Sequence, residues 1–361
     1  MRLPTIGGDP AKIDEAKATE MLHYTIDHGV NYIDTAYPYH GGTSEKFLAK
    51  VLQNGYREKV KLATKMPSWL VNSQQDMNKY LNEQLARLQT DQIDLYLLHG
   101  LGRERWQKLT QLNVIDWLEN KKKEGKISHI GFSFHDEFSA FKEIIDSYDG
   151  WTMCQIQYNY MDANYQAGTR GLKYATSKGL AVVVMEPVAG GRLAINPPKQ
   201  IQTLWTQAKT KRTQAEWALR WVWNHPEVSL VLSGMSTLQQ VEENINTAEH
   251  SEPPTLNRQE LTLINKVAKK YQQLGFAPCT KCRYCQPCPQ GVEIPEIIEL
   301  YNQYYASSRN PEIKTKYKKQ IAPEHQAKKC IRCGKCEEIC PQKLPIRQIL
   351  GNAAFHLEQS G

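Results

Sequence analysis

The run Val30-Asn31-Tyr32-Ile33-Asp34-Thr35-Ala36, continued by Tyr37-Pro38-Tyr39-His40-Gly41-Gly42-Thr43-Ser44-Glu45, decides the fold. An apolar stretch gives way to a loop punctuated by proline and glycine, and then to an amphipathic segment, which predicts strand, loop and helix. The passage recurs outward from there. Further strand-like runs lie at Val60–Lys65, Asp94–His99, Ile127–Ser133, Met153–Asn159, Ala181–Pro187 and Ser229–Gly234. Helix-like stretches alternate with them at Ser44–Leu52, Ser73–Leu88, Val114–Glu124, Phe138–Tyr148, Gln166–Lys178 and Thr213–His225. This is the rhythm of the βα unit, and near-continuous apolar strands suit a parallel sheet covered on both faces. The expected class is α/β, a TIM (β/α)8 barrel over residues 1–250. Seven strands are visible where the rule asks for eight. The absent one would come first, and Met1-Arg2-Leu3 reads as the tail of it, so the barrel is expected to be N-terminally shortened. A missing segment is preferred here to a barrel that closes on a stub.

After the barrel, Thr237–Glu249 and Asn257–Leu274 read as two more helices, with Ser251-Glu252-Pro253-Pro254 as a hinge between them. Residues 251–278 then form a linker and connecting helix, and residues 279–361 a separate domain. That last stretch holds eight of the nine cysteines. Cys279, Cys282, Cys285 and Cys288 are spaced C-x2-C-x2-C-x2-C and followed by Pro289. Cys330, Cys333, Cys336 and Cys340 are spaced C-x2-C-x2-C-x3-C and followed by Pro341. Thiolates in fours select iron–sulfur clusters or zinc. The close third cysteine and the proline after each fourth one favour iron over zinc. Disulfides are disfavoured because no export signal is visible. Cys154, alone in a strand-like run, reads as a packed core thiol.

Charge follows the same division. The chain carries +7 overall, but residues 1–278 hold 32 Lys and Arg against 30 Asp and Glu, while residues 279–361 hold 13 against 8. Two 4Fe–4S centres, each about −2 with its thiolates, would bring the +5 of the tail near +1. The excess base is therefore read as compensation for cluster charge, and no nucleic-acid partner is expected. A mean hydropathy of −0.58 and the lack of a long apolar run predict no membrane span, and the cytoplasm is the expected compartment.

Four strand ends deliver polar side chains that packing does not require: Asp34, with Tyr39 in the loop beyond it, Lys65 and His99. Active sites of such barrels lie at that rim. The stretches N-Y-I-D-T-A-Y-P-Y-H-G-G-T-S-E, A-T-K, L-Y-L-L-H and I-G-F-S resemble the signature of the aldo-keto reductase family over most of residues 1–250. The tail resembles a subgroup carrying a C-terminal 4Fe–4S ferredoxin-type domain of the mostly α-helical dicluster kind, with Ile297, Ile298, Tyr301, Tyr304 and Tyr305 at helical spacing between the two cysteine runs.

The resemblance implies an NAD(P)-dependent oxidoreductase that reduces a small-molecule carbonyl or related substrate. Tyr39 would be the acid, favoured over Tyr37 by its spacing from Asp34. Lys65 would ease loss of the phenolic proton, Asp34 would keep Lys65 charged, and His99 would orient the carbonyl. Trp69 is a candidate pocket wall. NADP or NAD would meet Ser133 and Gln155 at the carboxamide and Met185 at the ring. Gly234, Ser236, Gln240, Glu243 and Asn244 would meet the adenosine phosphate and adenine. The family's basic residue for the extra phosphate of NADP is replaced by Gln240. The ferredoxin likeness implies two 4Fe–4S clusters, one on Cys279, Cys282, Cys285 and Cys340, the other on Cys330, Cys333, Cys336 and Cys288. An electron-carrier protein is a candidate partner. A redox-sensing module with structural clusters is the competing reading.

Overall fold

The computed structural model describes residues 2–307 and 309–359. Seven strands, β1 (Tyr32–Asp34), β2 (Lys61–Met66), β3 (Ile93–Leu101), β4 (Ile127–Phe134), β5 (Met153–Gln157), β6 (Ala181–Met185) and β7 (Val228–Val231), form one sheet in the order β1 to β7. Every pairing is parallel. Helices alternate with the strands, as the sequence period requires. The sheet curls around a buried cluster of Ala63, Leu97, Met153 and Val183, against which Tyr32, Leu95, Ala181, Leu230 and Leu232 pack. This is a TIM-like barrel, filled by side chains and not a pore.

All seven expected strands are present, and β7 and β1 are the two ends of the sheet. Arg2 and Leu3 are not in a strand. The Arg2 carbonyl accepts from Ser236 Oγ at 2.7 Å, and Leu3 N–H donates to His40 Nε2 at 3.2 Å. They therefore cross the rim from the loop after β7 to the loop after β1. Gly234 takes part, because a Cβ there would meet Arg2 Cγ and Cδ at 2.9 Å. Cys154 is fully buried in β5, as expected of a core thiol.

The chain separates into two compact units, Met1–Pro187 with Leu219–Leu256, and Val188–Ala218 with Asn257–Gly361. The second unit thus recruits a segment from between β6 and β7. Its helix Lys199–Trp205 packs on the helix Arg258–Gln273, which opens on a capping box formed by Asn257 and Glu260. Gly190, with φ +68, lies against Thr280, where a Cβ would stand 2.5 Å from the Thr280 carbonyl oxygen. The core of this unit gathers Ile297, Ile298, Tyr304, Tyr317, Leu350 and Leu357, with six of the tail cysteines packed against it. Burying one such isoleucine contributes about 1.5–3 kcal/mol. Among the described residues, no helix is long and apolar enough to cross a membrane.

Candidate active site

Parallel register brings the strand ends level. Lys65 lies opposite Leu97, Ser133 opposite Gln155, and Gln157 opposite Met185. Lys65 is 1% exposed, yet its ammonium is well satisfied. It donates to Asp34 Oδ1 at 2.6 Å and to the Thr35 carbonyl at 2.8 Å. Burial pushes the Lys65 pKa down, and the Asp34 charge opposes that shift. The same ammonium stands 5.0 Å from the centre of the Tyr39 ring. Tyr39 meets His99 edge-on, with ring centres 5.9 Å apart, and Trp69 meets His99 at 5.1 Å. The structure therefore brings Asp34, Tyr39, Lys65, His99 and Trp69 together at one mouth of the barrel.

His99 is 5% exposed, and its pKa is held well below the usual histidine range, by burial first and then by the Lys65 charge. Beside it, the Arg105 guanidinium donates to the Gly100 carbonyl at 2.6 Å and lies over the Trp69 ring. Burial likewise pushes His135 down to about 4.

A polar network behind Lys65 escaped the sequence reading. Glu45, 1% exposed, accepts from Thr64 Oγ1 and from Gln84 Nε2, both at 2.7 Å. Gln84 Nε2 also donates to the Lys65 carbonyl at 3.0 Å, and Tyr96 donates to Gln84 Oε1 at 2.8 Å. Arg87 closes the set on Glu45 at 3.3 Å. The network pins the backbone that carries Lys65. The available signal was Glu45 on the buried side of its helix, beside Phe47 and Leu48.

The residues expected to hold the dinucleotide divide by burial. Ser133 and Gln155 are buried, Met185 is half-buried, and Gly234, Ser236, Gln240 and Glu243 are exposed. Ser133 Oγ accepts from the Gly100 N–H at 2.8 Å and keeps its own hydrogen to donate. Gln155 Nε2 donates to Asp34 Oδ2 at 2.5 Å, which ties it to the tetrad. The helix Leu238–Glu249 opens beyond the exposed loop, and such an N-terminus suits an anion. Thr237 caps it by accepting from Gln240 N–H, while Gln240 Oε1 accepts from Ser236 N–H at 2.8 Å. Asn244 donates to Ser233 Oγ at 2.9 Å, and Glu243 accepts from Gln239. These donors are engaged within the loop and the helix that follows it.

In the second unit, Cys279, Cys282, Cys285 and Cys340 line one pocket walled by Ile294, Ile298, Leu344 and Ile346. Burial pushes the Cys279 and Cys285 thiols up. It also pushes Cys336 up, to about 11, with Cys330 and Cys288 near enough to add to the shift. Among the described residues no group of three His, Cys, Asp or Glu side chains is placed to hold a single metal ion. Four thiols lining one pocket suit an iron–sulfur cage bound through thiolates.

Comparison with known proteins agrees with both halves. The profile of the aldo/keto reductase family matches residues 3–269, and that of the 4Fe-4S dicluster domain matches residues 278–344. L-galactose dehydrogenase of Arabidopsis thaliana is 28% identical over 286 residues, spanning 74% of this chain and 88% of that protein. The methylglyoxal reductase YeaE of Escherichia coli is 28% identical over 251 residues, spanning 68% and 82%. Among solved structures, the holo form of an aldo-keto reductase from Bacillus halodurans superposes with a TM-score of 0.62 at 29% identity, covering 74% of this chain and 91% of that one. An aldo/keto reductase from Klebsiella pneumoniae, in complex with NADP and acetate, gives 0.60 at 25% identity, covering 74% and 90%. The chain belongs to the aldo/keto reductase family and carries a 4Fe–4S dicluster ferredoxin domain at its C-terminal end.

Proposed function

We propose that this oxidoreductase reduces a small carbonyl compound at the barrel mouth, and that its tail exchanges single electrons with a carrier protein. One observation carries the first part: the buried Lys65 ammonium, bound to Asp34 at 2.6 Å, stands beside the Tyr39 ring that faces His99. When bound, NADP(H) would supply the hydride, and two 4Fe–4S clusters would supply single-electron storage.

The chain's own residues do the rest. Tyr39 donates the proton to the carbonyl oxygen as negative charge grows there. Lys65 stabilises the phenolate left on Tyr39, and Asp34 keeps Lys65 charged against its burial. His99, neutral by its surroundings, orients the carbonyl through a hydrogen bond. Ser133 and Gln155 would hold the carboxamide, Met185 would offer an apolar platform, and Gly234, Ser236, Gln240, Glu243 and Asn244 would receive the adenosine end. The Klebsiella pneumoniae relative in complex with NADP supports NADP as the donor.

In the tail, the pocket lined by Cys279, Cys282, Cys285 and Cys340 supports cross-ligation of one cluster by the last cysteine of the second run. Cys330, Cys333, Cys336 and Cys288 then hold the other. A domain built on reduced thiols suits the cytoplasm. Anaerobic purification with iron and sulfide analysis tests the assignment, together with aldehyde reduction using each nicotinamide. About eight iron and eight sulfide per chain are expected for two cubanes. Zinc without sulfide overturns the cluster reading, and no turnover with either nicotinamide overturns the reductase reading.

A further inference from the structure

The two cysteine runs differ in how their cations are used. Around the first, Lys281 pairs with Glu299 at 3.6 Å, and Arg283 pairs with Glu293 at 3.4 Å and with Glu296. Around the second, Lys328, Lys329, Arg332 and Lys335 are all exposed. Between residues 328 and 347 there are six basic residues and two acidic ones, and Glu337 is engaged by Arg347 at 2.6 Å. The charge of about −2 on a bound cluster leaves this stretch positive. In the midst of these cations Ile331 is 62% exposed, and the Cys333 thiol is exposed beside it. An exposed apolar side chain flanked along the chain by exposed like charges has the make-up of a docking patch, an anchor with a charged rim.

We propose that this face is the docking surface for an acidic one-electron carrier protein, of flavodoxin-like or ferredoxin-like charge. The proposal rests on the iron–sulfur reading above. Positive potential steers a negatively charged protein onto the patch and repels a basic one. Ile331 supplies the dry contact. Cys333, the exposed thiol of this run, would bring a cluster held there to the surface. The reaction is a single electron transfer: the reduced carrier loses one electron, the cluster gains it, and no bond forms or breaks.

The test uses the full chain with its clusters in place. Photoreduced acidic flavodoxin is mixed with the unaltered chain, with a K328E/K329E/R332E/K335E variant and with a K328Q/K329Q variant, whose changes lie outside the cysteine run. Cluster bleaching is followed at low and at high salt, and dithionite reduction serves as the reference for cluster integrity. The charge-reversed chain is expected to accept electrons from flavodoxin at least about tenfold more slowly at low salt, with the gap closing at high salt. The neutralised variant is expected to fall between the two. Dithionite is expected to reduce the clusters of all three chains to the same final extent. Rates from flavodoxin that agree within about twofold across all three chains overturn the docking surface while leaving the clusters standing. An unaltered chain with no dithionite-reducible centre overturns the cluster reading, and the docking surface with it.

Discussion

The barrel mouth and the cysteine pocket both concentrate ionisable groups, but only the first is completed by the protein itself. At the mouth, the cost of burying the Lys65 ammonium is offset by a carboxylate at 2.6 Å and a carbonyl at 2.8 Å, and its strand is pinned from behind through Gln84. In the pocket, burial pushes the Cys279, Cys285 and Cys336 thiols up, and the Arg192 and Lys281 charges oppose that only in part at Cys279. Thiols held in their neutral form among apolar walls are a site that its inorganic group must finish. A preorganised site keeps its geometry without its ligand, whereas a ligand-completed one does not.

The largest expected effect sharpens that contrast from the barrel side. Tyr39→Phe removes the proposed proton donor and leaves the ring, so turnover of a simple aldehyde is expected to fall by about 10²–10⁴-fold. Iron and sulfide contents are expected to stay unchanged. A variant that kept its turnover would remove Tyr39 from the chemistry. Next in size is Lys65→Met, which leaves the Asp34 carboxylate, only 10% exposed, with its cation gone. Urea unfolding should show a loss of about 3–5 kcal/mol, the usual consequence of halving a buried ion pair. A Lys65→Met/Asp34→Asn double variant should recover part of it. Losses that simply add would show that the two side chains do not interact.

Chelating the iron tests the other side. Six of the tail cysteines pack on the core that holds Ile297, Ile298 and Leu350, so emptying the pocket loosens that core directly. Limited proteolysis should then cut between residues 279 and 340 while a fragment containing β1 to β7 persists. Equal resistance before and after chelation would break the comparison, because the pocket would then be as self-sufficient as the mouth.

What the sequence revealed follows the same line. The strands and the tetrad were legible because each is announced locally, by an apolar run or by a polar residue at its end. Even β1 was found, although it is Tyr32–Asp34 and not the longer Val30–Ala36, since as an end strand it has a neighbour on one side only. The helices Lys199–Trp205 and Glu312–Gln320 went unread. The first is seven residues long behind a proline pair, and the second buries a single tyrosine, Tyr317, beneath a run of lysines. The network of Glu45, Thr64, Gln84 and Arg87 was invisible because its members are 19 to 42 residues apart and meet only after the strands are paired. No spacing rule joins them.

The smallest expected effect concerns pH. His99 and His135 both titrate below the ordinary histidine range, chiefly through burial, His135 at about 4. Unfolded, each binds its proton near 6.5. Between those values the unfolded chain holds more protons, so stability rises with pH across the window. Their contribution is complete above about 6.5 and is lost as pH falls through the folded values. Carboxylates act in a lower window, below about 4; at Asp94 burial is outweighed by the Leu62 N–H and by Arg57, which hold the carboxyl low. Midpoints of urea unfolding measured from pH 7 to pH 4.5 should therefore decline in the unaltered chain and decline less in His135→Gln. The same shift keeps the His99 imidazole neutral at the pH of turnover, so the rate should carry no inflection near 6.5 that disappears in His99→Asn. Such an inflection would mean that His99 gains a proton in the working enzyme, and that the mouth is less shielded than its bonds imply.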